Sequence, residues 1–454
     1  MTTTFRRPSR PARRWAVLAL LLVFTGLTPT VWAAFFRQAV GGISIDPKGV
    51  LANAERDENG LRQFWLDNLQ PVPGDLNQPT KLRKISLRGL AEVVGKLAGQ
   101  PQMPDEVRFL AGLQRVEYVL VYPEQNDIVL VGYGEGWKVD ERGNVVGSTT
   151  GRPVMQLDDL LVALRTADAA ARGGITCSID PTEEGLARAQ KVQAQILQPG
   201  VSPKDAADLL QKALGPQMIS FRGVSPKSRF AHILLAADFR MKRLAMHFDP
   251  TPIKGLPSYL TMLKRAKQPG VPNILPRWWL TTDYQPLLTD GKGLAWQLRG
   301  QGVKCMSEDD FVAADGTRQR SGKSSKEAQR WADLMTKHYD ALSVKEPIFG
   351  ELRNCMDLAV VAALIFKENL AGRAALDLGA LIDPEAYPTE EFNAPKQVDT
   401  KVSYIETANN YLLSASGGVE LTSWQAAAEQ ETSDELASLR TKQTDDRGDL
   451  WWWN

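Results

Sequence analysis

Asp238 and Lys242 are the residues of this chain best placed to do chemistry. They stand four apart in FAHILLAADFRMKRLAM, where Phe230, Ile233, Leu234, Ala237, Met241 and Leu244 share one helical face. On a solvated helix an acid four residues before a base is an ordinary surface pair. In so apolar a segment the pair would be buried, and a buried carboxylate–ammonium pair can transfer a proton. A hydrolase acting on a polymer would use carboxylates such as Asp238 with Lys242 or Asp283. Asp180-Pro181-Thr182-Glu183 instead reads as a capping box, with Asp at the N-cap, Pro at the first helical position and Glu at the third. Asp158 and Asp159 stand at another helix start, where negative charge meets the helix dipole.

A second set is aromatic. Trp278, Trp279, Tyr284 and Trp296 fall on one expected hairpin. Adjacent strand residues point to opposite faces, so one of Trp278 and Trp279 can enter the core while the other stacks on a sugar or an apolar partner. These four are the candidate ligand-binding residues. Trp451, Trp452 and Trp453 close the chain after a charged stretch. Three such rings are costly in water. Three readings stay open: they dock in a groove of their own chain, they dock on another envelope protein, or the segment is disordered.

Other chemistries find no support in the residue pattern. His232, His247 and His338 have no ligand spacing with one another or with a cysteine, so no metal is expected. Gly132-Tyr133-Gly134-Glu135-Gly136 follows a strand, but the next run also reads as strand, so no helix N-terminus meets a phosphate. Gly322-Lys323-Ser324 resembles the end of a phosphate loop, but Thr317 stands where the first glycine is required. No cofactor is expected. Cys177, Cys305 and Cys355 allow one disulfide and leave one thiol over.

The elements that must hold these residues alternate along the chain. A hairpin turns at Asp46-Pro47-Lys48-Gly49. Ser86 caps a helix to about Leu97, and 116–147 is β-rich, with runs at 116–122, 127–133 and a hairpin at 137–146. A helix follows over 157–171, then a strand–helix unit from Gly173. GVSPK occurs at 200–204 and 223–227, each a serine cap followed by proline. Helices are expected over 228–246 and 257–266, a hairpin over 277–300, a polar loop over 314–326, and helices over 326–342 and 348–370. The last contains MDLAVVAALIF and should be buried all round. A strand near 410–421 ends the body, and 429–449 reads as a flexible or weakly helical tail. The fold class is α+β, with antiparallel hairpins and small sheets packed by helices in two or three subdomains. The expected divisions are 34–155, 156–300, 301–425 and a tail from 426 to 454.

Residues 1–33 read as a secretory signal. Arg6, Arg7, Arg10, Arg13 and Arg14 precede an apolar run from Trp15 to Phe24, and Val31-Trp32-Ala33 offers a small-residue cleavage site. No later segment is long and apolar enough to span a bilayer. Removing those arginines turns 54 basic against 53 acidic residues into a small negative excess, which argues against nucleic acid as a partner. GGISIDPKGVL, WKVDERGNVVGSTTGRPVMQLDDLLVALR, GGITCSIDPTEEGLARAQ, FAHILLAADFRMKRLAM and FGELRNCMDLAVVAALI together resemble a family of uncharacterised secreted planctomycete proteins, a domain of unknown function. The resemblance covers most of residues 38–421. It implies a periplasmic or secreted location and assigns no functional residues. Two function classes stay open: a non-enzymatic binding or assembly component of the envelope, with a polysaccharide or another envelope protein as partner, and a secreted hydrolase working through carboxylates.

Overall fold

The Asp46–Gly49 turn folds β1 (Ile43–Ile45) onto β2 (Val50–Asn53). Asp46 Oδ1 accepts from the amides of Lys48 and Val50, both at 2.8 Å, and Gly49 takes φ +84°, which a side chain would disfavour. The computed structural model describes residues 40–53, 58–100, 103–196, 198–266, 274–313, 315–405, 411–442 and 450–454. The expected leader, residues 1–33, and the tail residues 443–449 lie outside this set.

Twelve more strands complete one mixed sheet of fourteen. They are β3 (Thr80–Ser86), β4 (Tyr118–Tyr122), β5 (Asp127–Gly134), β6 (Ile175–Pro181), β7 (Gln217–Arg222), β8 (Ile274–Thr289), β9 (Ala295–Val312), β10 (Arg318–Arg320), β11 (Gln397–Val398), β12 (Ser416–Leu421), β13 (Gln430–Thr432) and β14 (Trp452–Trp453). Their order is β1-β2-β11-β7-β6-β12-β8-β9-β4-β5-β3-β14, with β10 beside β9 and β13 beside β8. The pairs β8–β12, β8–β13 and β2–β11 are parallel. Two small hairpins stand apart, one pairing Trp137–Val139 with Val145–Gly147 and the other Ser403–Ile405 with Tyr411–Leu413.

The helices are α1 (Glu58–Asn68), α2 (Leu87–Leu97), α3 (Asp105–Arg108), α4 (Leu157–Ala171), α5 (Glu183–Ile196), α6 (Pro203–Leu214), α7 (Arg229–Ala245), α8 (Tyr259–Ala266), α9 (Lys326–Lys337), α10 (Tyr339–Lys345), α11 (Pro347–Lys367), α12 (Leu370–Ala374), α13 (Ser423–Ala428) and α14 (Asp434–Lys442). Serine hydroxyls start several of them. Ser86 accepts from Gly89 N at 2.9 Å, Ser202 from Asp205 N at 3.1 Å and Ser228 from Ala231 N at 3.1 Å. The architecture is α+β. Helices α7, α9, α11 and α13 pack on one face of the long central strands, here called the inner face, and α11 is buried on nearly every side. No helix among the described residues is long and apolar enough to cross a membrane.

Several local expectations change. The second GVSPK does not start a helix: α7 begins three residues later, on Ser228. The cap of α5 is Thr182, whose Oγ1 accepts from Gly185 N at 2.9 Å, so Asp180 is a strand residue of β6 and not an N-cap. The hairpin expected over 277–300 extends to Ile274–Thr289 and Ala295–Val312. Strand β3 was not foreseen, and β10 lies in the stretch read as loop. The tail contributes β13, α14 and β14. Cys177, Cys305 and Cys355 are buried free thiols.

Candidate functional site

Helix α7 carries Asp238 and Lys242 to the inner face of the sheet, one turn apart. Lys242 Nζ donates to Asp238 Oδ2 at 2.8 Å, to Ile179 O at 3.0 Å and to Gly417 O at 3.3 Å. An ammonium has three protons, and each has an acceptor here. Asp238 is wholly buried, and its Oδ1 has no hydrogen-bond partner. Burial pushes its pKa up to about 6, against the pull of Lys242. Asp180 is also near. Burial opposes its charge, but Lys242 and Arg318 hold it below the ordinary carboxylate value, and Arg318 Nη1 donates to Asp180 Oδ1 at 2.9 Å. The cavity touching Lys242 has about 40 Å³, lined among others by Phe239, Arg243, Met246 and Lys401. At roughly 10–15 Å³ per water it takes a few waters and no polymer. Asp283 does not join this group. It faces Lys304 at 3.8 Å, with over a third of each side chain exposed.

The long hairpin β8–β9 sorts the expected aromatic residues between two faces. Trp278 is fully buried on the inner face, edge-on to Tyr259 and Trp331 with ring centroids 4.8 and 5.1 Å away. Trp296 is buried too, and its Nε1 donates to Gln430 Oε1 at 3.3 Å. Tyr284 donates its hydroxyl to Asp357 Oδ1 at 2.6 Å. These three side chains therefore do not line an open ligand surface: two are core, and the third has its polar end committed to a buried carboxylate. Trp279 points the other way. It is half-buried, with the Arg277 guanidinium 5.1 Å from its ring centroid.

Strand register places Trp279 in the middle of a surface spanning five strands. Across β7-β6-β12-β8-β9 the row reads Ser220, Ser178, Gly418, Trp279, Met306. The Ser178 and Ser220 hydroxyls lie 2.9 Å apart. Beside it runs Arg222, Thr176, Glu420, Thr281, Lys304. Among the described residues α5 and α6 cover only the far end of this outer face, where Leu186, Ala207, Leu214, Leu275 and Val312 cluster.

Trp451, Trp452 and Trp453 are packed against their own chain. β14 pairs antiparallel with the edge strand β3, and Ser86 N donates to Trp451 O at 2.9 Å. Gly89 makes room: a Cβ there would lie 2.8 Å from Trp451 Cβ. Trp453 joins Leu436 of α14 over Leu120, Val129, Val131 and Ala295.

The residue pattern gave no hint of a third cluster. Arg115 grips Asp357 with two hydrogen bonds of 2.9 and 3.0 Å, closing 242 positions of chain. Asp340 receives Arg152 Nη2 on both oxygens, at 3.1 and 3.0 Å, and Arg353 Nη1 at 2.9 Å. Such contacts between distant residues carry no local signal. Among the described residues no group of three or more His, Cys, Asp or Glu side chains is arranged to hold a metal ion.

A family model described as "Protein of unknown function (DUF1598)" matches residues 177–259. That span runs from β6 through α7 and holds Asp180, Asp238 and Lys242. It covers much less than the resemblance read from the sequence. Neither the curated proteins nor the solved structures returned a match.

Proposed function

We propose that this protein is an exported, non-enzymatic binding component of the cell envelope and that its ligand surface is the open sheet face around Trp279. The observation that carries this reading is one large aromatic ring, half-buried, on a five-strand surface whose neighbouring positions are mostly polar, with Met306 beside it. Hydroxyl-bearing neighbours and a ring available for stacking suit a polysaccharide. The alternative reading, a hydrolase using Asp238, Lys242 and Asp283, is weakened by the saturated ammonium and by the separate position of Asp283. Export rests on the order of basic, apolar and small residues over 1–33.

Affinity electrophoresis through gels containing hydroxyethyl cellulose, xylan or glucomannan tests the surface. Retardation in at least one gel, abolished by Trp279→Ala, is the expected result. Equal mobility of both proteins in every gel would reject the reading. Fusing residues 1–33 to a reporter active only after export tests the location.

A further inference from the structure

Arg353 on α11 presents an anomaly. Its side chain is 3% exposed, yet among the described residues its one hydrogen bond runs from Nη1 to Asp340, whose side chain is 57% exposed. Its Nε is buried without a partner. A guanidinium carries five N–H donors in a rigid fork shaped for oxyanions, and burying its Nε–H without an acceptor is costly. Arg152 reaches the same carboxylate from outside, with its side chain 35% exposed. Arg115 stands alongside, its fork already closed on Asp357. Gly302 lets the two inner arginines meet: a Cβ there would lie 3.1 Å from Arg353 Cγ and 3.3 Å from Arg115 Nη2.

We propose that Arg152 and Arg353 form a receptor for an oxyanion, a carboxylate or phosphate group borne by a ligand, and that Asp340 is its built-in occupant in the free protein. Two guanidinium groups converge on one carboxylate at the protein surface, each through a single terminal nitrogen, Arg152 Nη2 on both oxygens and Arg353 Nη1 on one, and charge-assisted bonds of this kind bind such groups. Asp340 sits in the first turn of α10, a different element from the segment before α4 that carries Arg152 and from α11, which carries Arg353, so its withdrawal leaves both arginines in place. This site is separate from the Trp279 surface and stands or falls without it.

Asp340→Asn removes the occupant's charge while keeping its side-chain shape, and leaves both arginines cationic. Thermal unfolding of this variant and of the wild type is followed against inorganic phosphate and against succinate, at ionic strength held constant with sodium chloride. The variant is expected to show saturable stabilisation with at least tenfold tighter apparent binding than the wild type. Adding Arg152→Ala should abolish it. A response to phosphate alone assigns a phosphate ligand, to succinate alone a carboxylate ligand, and to both an oxyanion site of either kind. No response beyond that of the wild type, or a response that survives loss of Arg152, overturns the proposal. Asp340→Ser, read in the same way, serves if the asparagine variant does not fold.

Discussion

The outer face of the sheet is built in two ways. Around β4, β5 and the start of β9 it is apolar, with Leu120, Val129, Val131 and Ala295 lying under Leu436 and Trp453 of the C-terminal segment. Around β6, β12 and the middle of β8 the positions facing the same way are Thr176, Ser178, Glu420, Thr281 and Trp279. Strand alternation explains why one sheet can carry both. Each outward position is free to be apolar where something covers it and polar where nothing does. Trp279, with Met306 beside it and Met218 further along the face, departs from that rule on the open half, and an exception to a local rule is where function is to be sought.

The sharpest way to break the contrast is to strip the covered half. Trp452→Ala and Trp453→Ala each remove a ring more than nine-tenths buried. Each should lower unfolding stability by about 3 kcal/mol, read from denaturant midpoints, because a truncated core tryptophan leaves a cavity. Trp279→Ala on the open half should cost well under half of that. Equal losses at the two places would mean that both halves are packed alike.

These halves were unequally legible in the sequence. Tryptophans adjacent in a strand had to split between two faces, and Trp278 and Trp279 do. Which of them is buried depends on Tyr259 and Trp331, which come from distant helices. The cover itself was hidden for a related reason. Leu436 and Leu439 are sparse in a charged segment, and helix α14 is held by packing rather than by its own periodicity. Strand β3 was missed because Pro, Asn and Gln dominate the stretch before it and its serine reads first as a cap for α2. Turns, long amphipathic helices and the caps at Ser86 and Ser202 are local devices and could be read, whereas the caps expected at Asp180 and Ser225 fall on Thr182 and Ser228. The Arg115–Asp357 clamp and the pairing of β14 with β3 are products of closure over long loops and could not.

The inner face offers the next test. Lys242→Met leaves Asp238 buried without its cation, and roughly 3–5 kcal/mol of stability should go with it. The double variant Asp238→Leu with Lys242→Met removes both charges and should recover most of the loss. Failure of that recovery would show that the bonds from Lys242 to Ile179 O and Gly417 O hold the sheet, rather than the ion pair alone.

Acidity should act in the same region with a sign that can be worked out. Burial pushes Asp159 up to about 7 and Asp238 up to about 6, although Arg229 and Lys242 respectively oppose it. Between the unfolded carboxylate value and these raised values the folded chain holds more protons than the unfolded one. Stability from these two groups is therefore full below about pH 4 and falls as pH rises through 6 and 7. His232 acts oppositely. Burial lowers it to about 4, so its contribution is present above its ordinary value and is lost on acidification through that window. Urea midpoints at pH 5 and pH 8 should favour pH 5 more strongly in His232→Gln than in the wild type. Asp159→Asn should reduce that preference. A preference unchanged by Asp159→Asn would place the dependence elsewhere.

The smallest expected effect carries the most functional information. Asp283→Ala removes a carboxylate 3.8 Å from Lys304, and both side chains are more than one-third exposed. Solvent screens such a pair, so stability should change by no more than about 0.5 kcal/mol. Asp283 and Lys304 nevertheless border the Trp279 row, since Lys304 stands opposite Thr281. If the open half is a binding surface, Asp283→Ala should shift retardation in the polysaccharide gels while leaving the unfolding midpoint in place. If the face is only a solvated sheet surface, neither quantity will move. Because the covered half responds through stability and the open half through binding, this one exposed carboxylate separates the two readings of the sheet more cleanly than any core substitution.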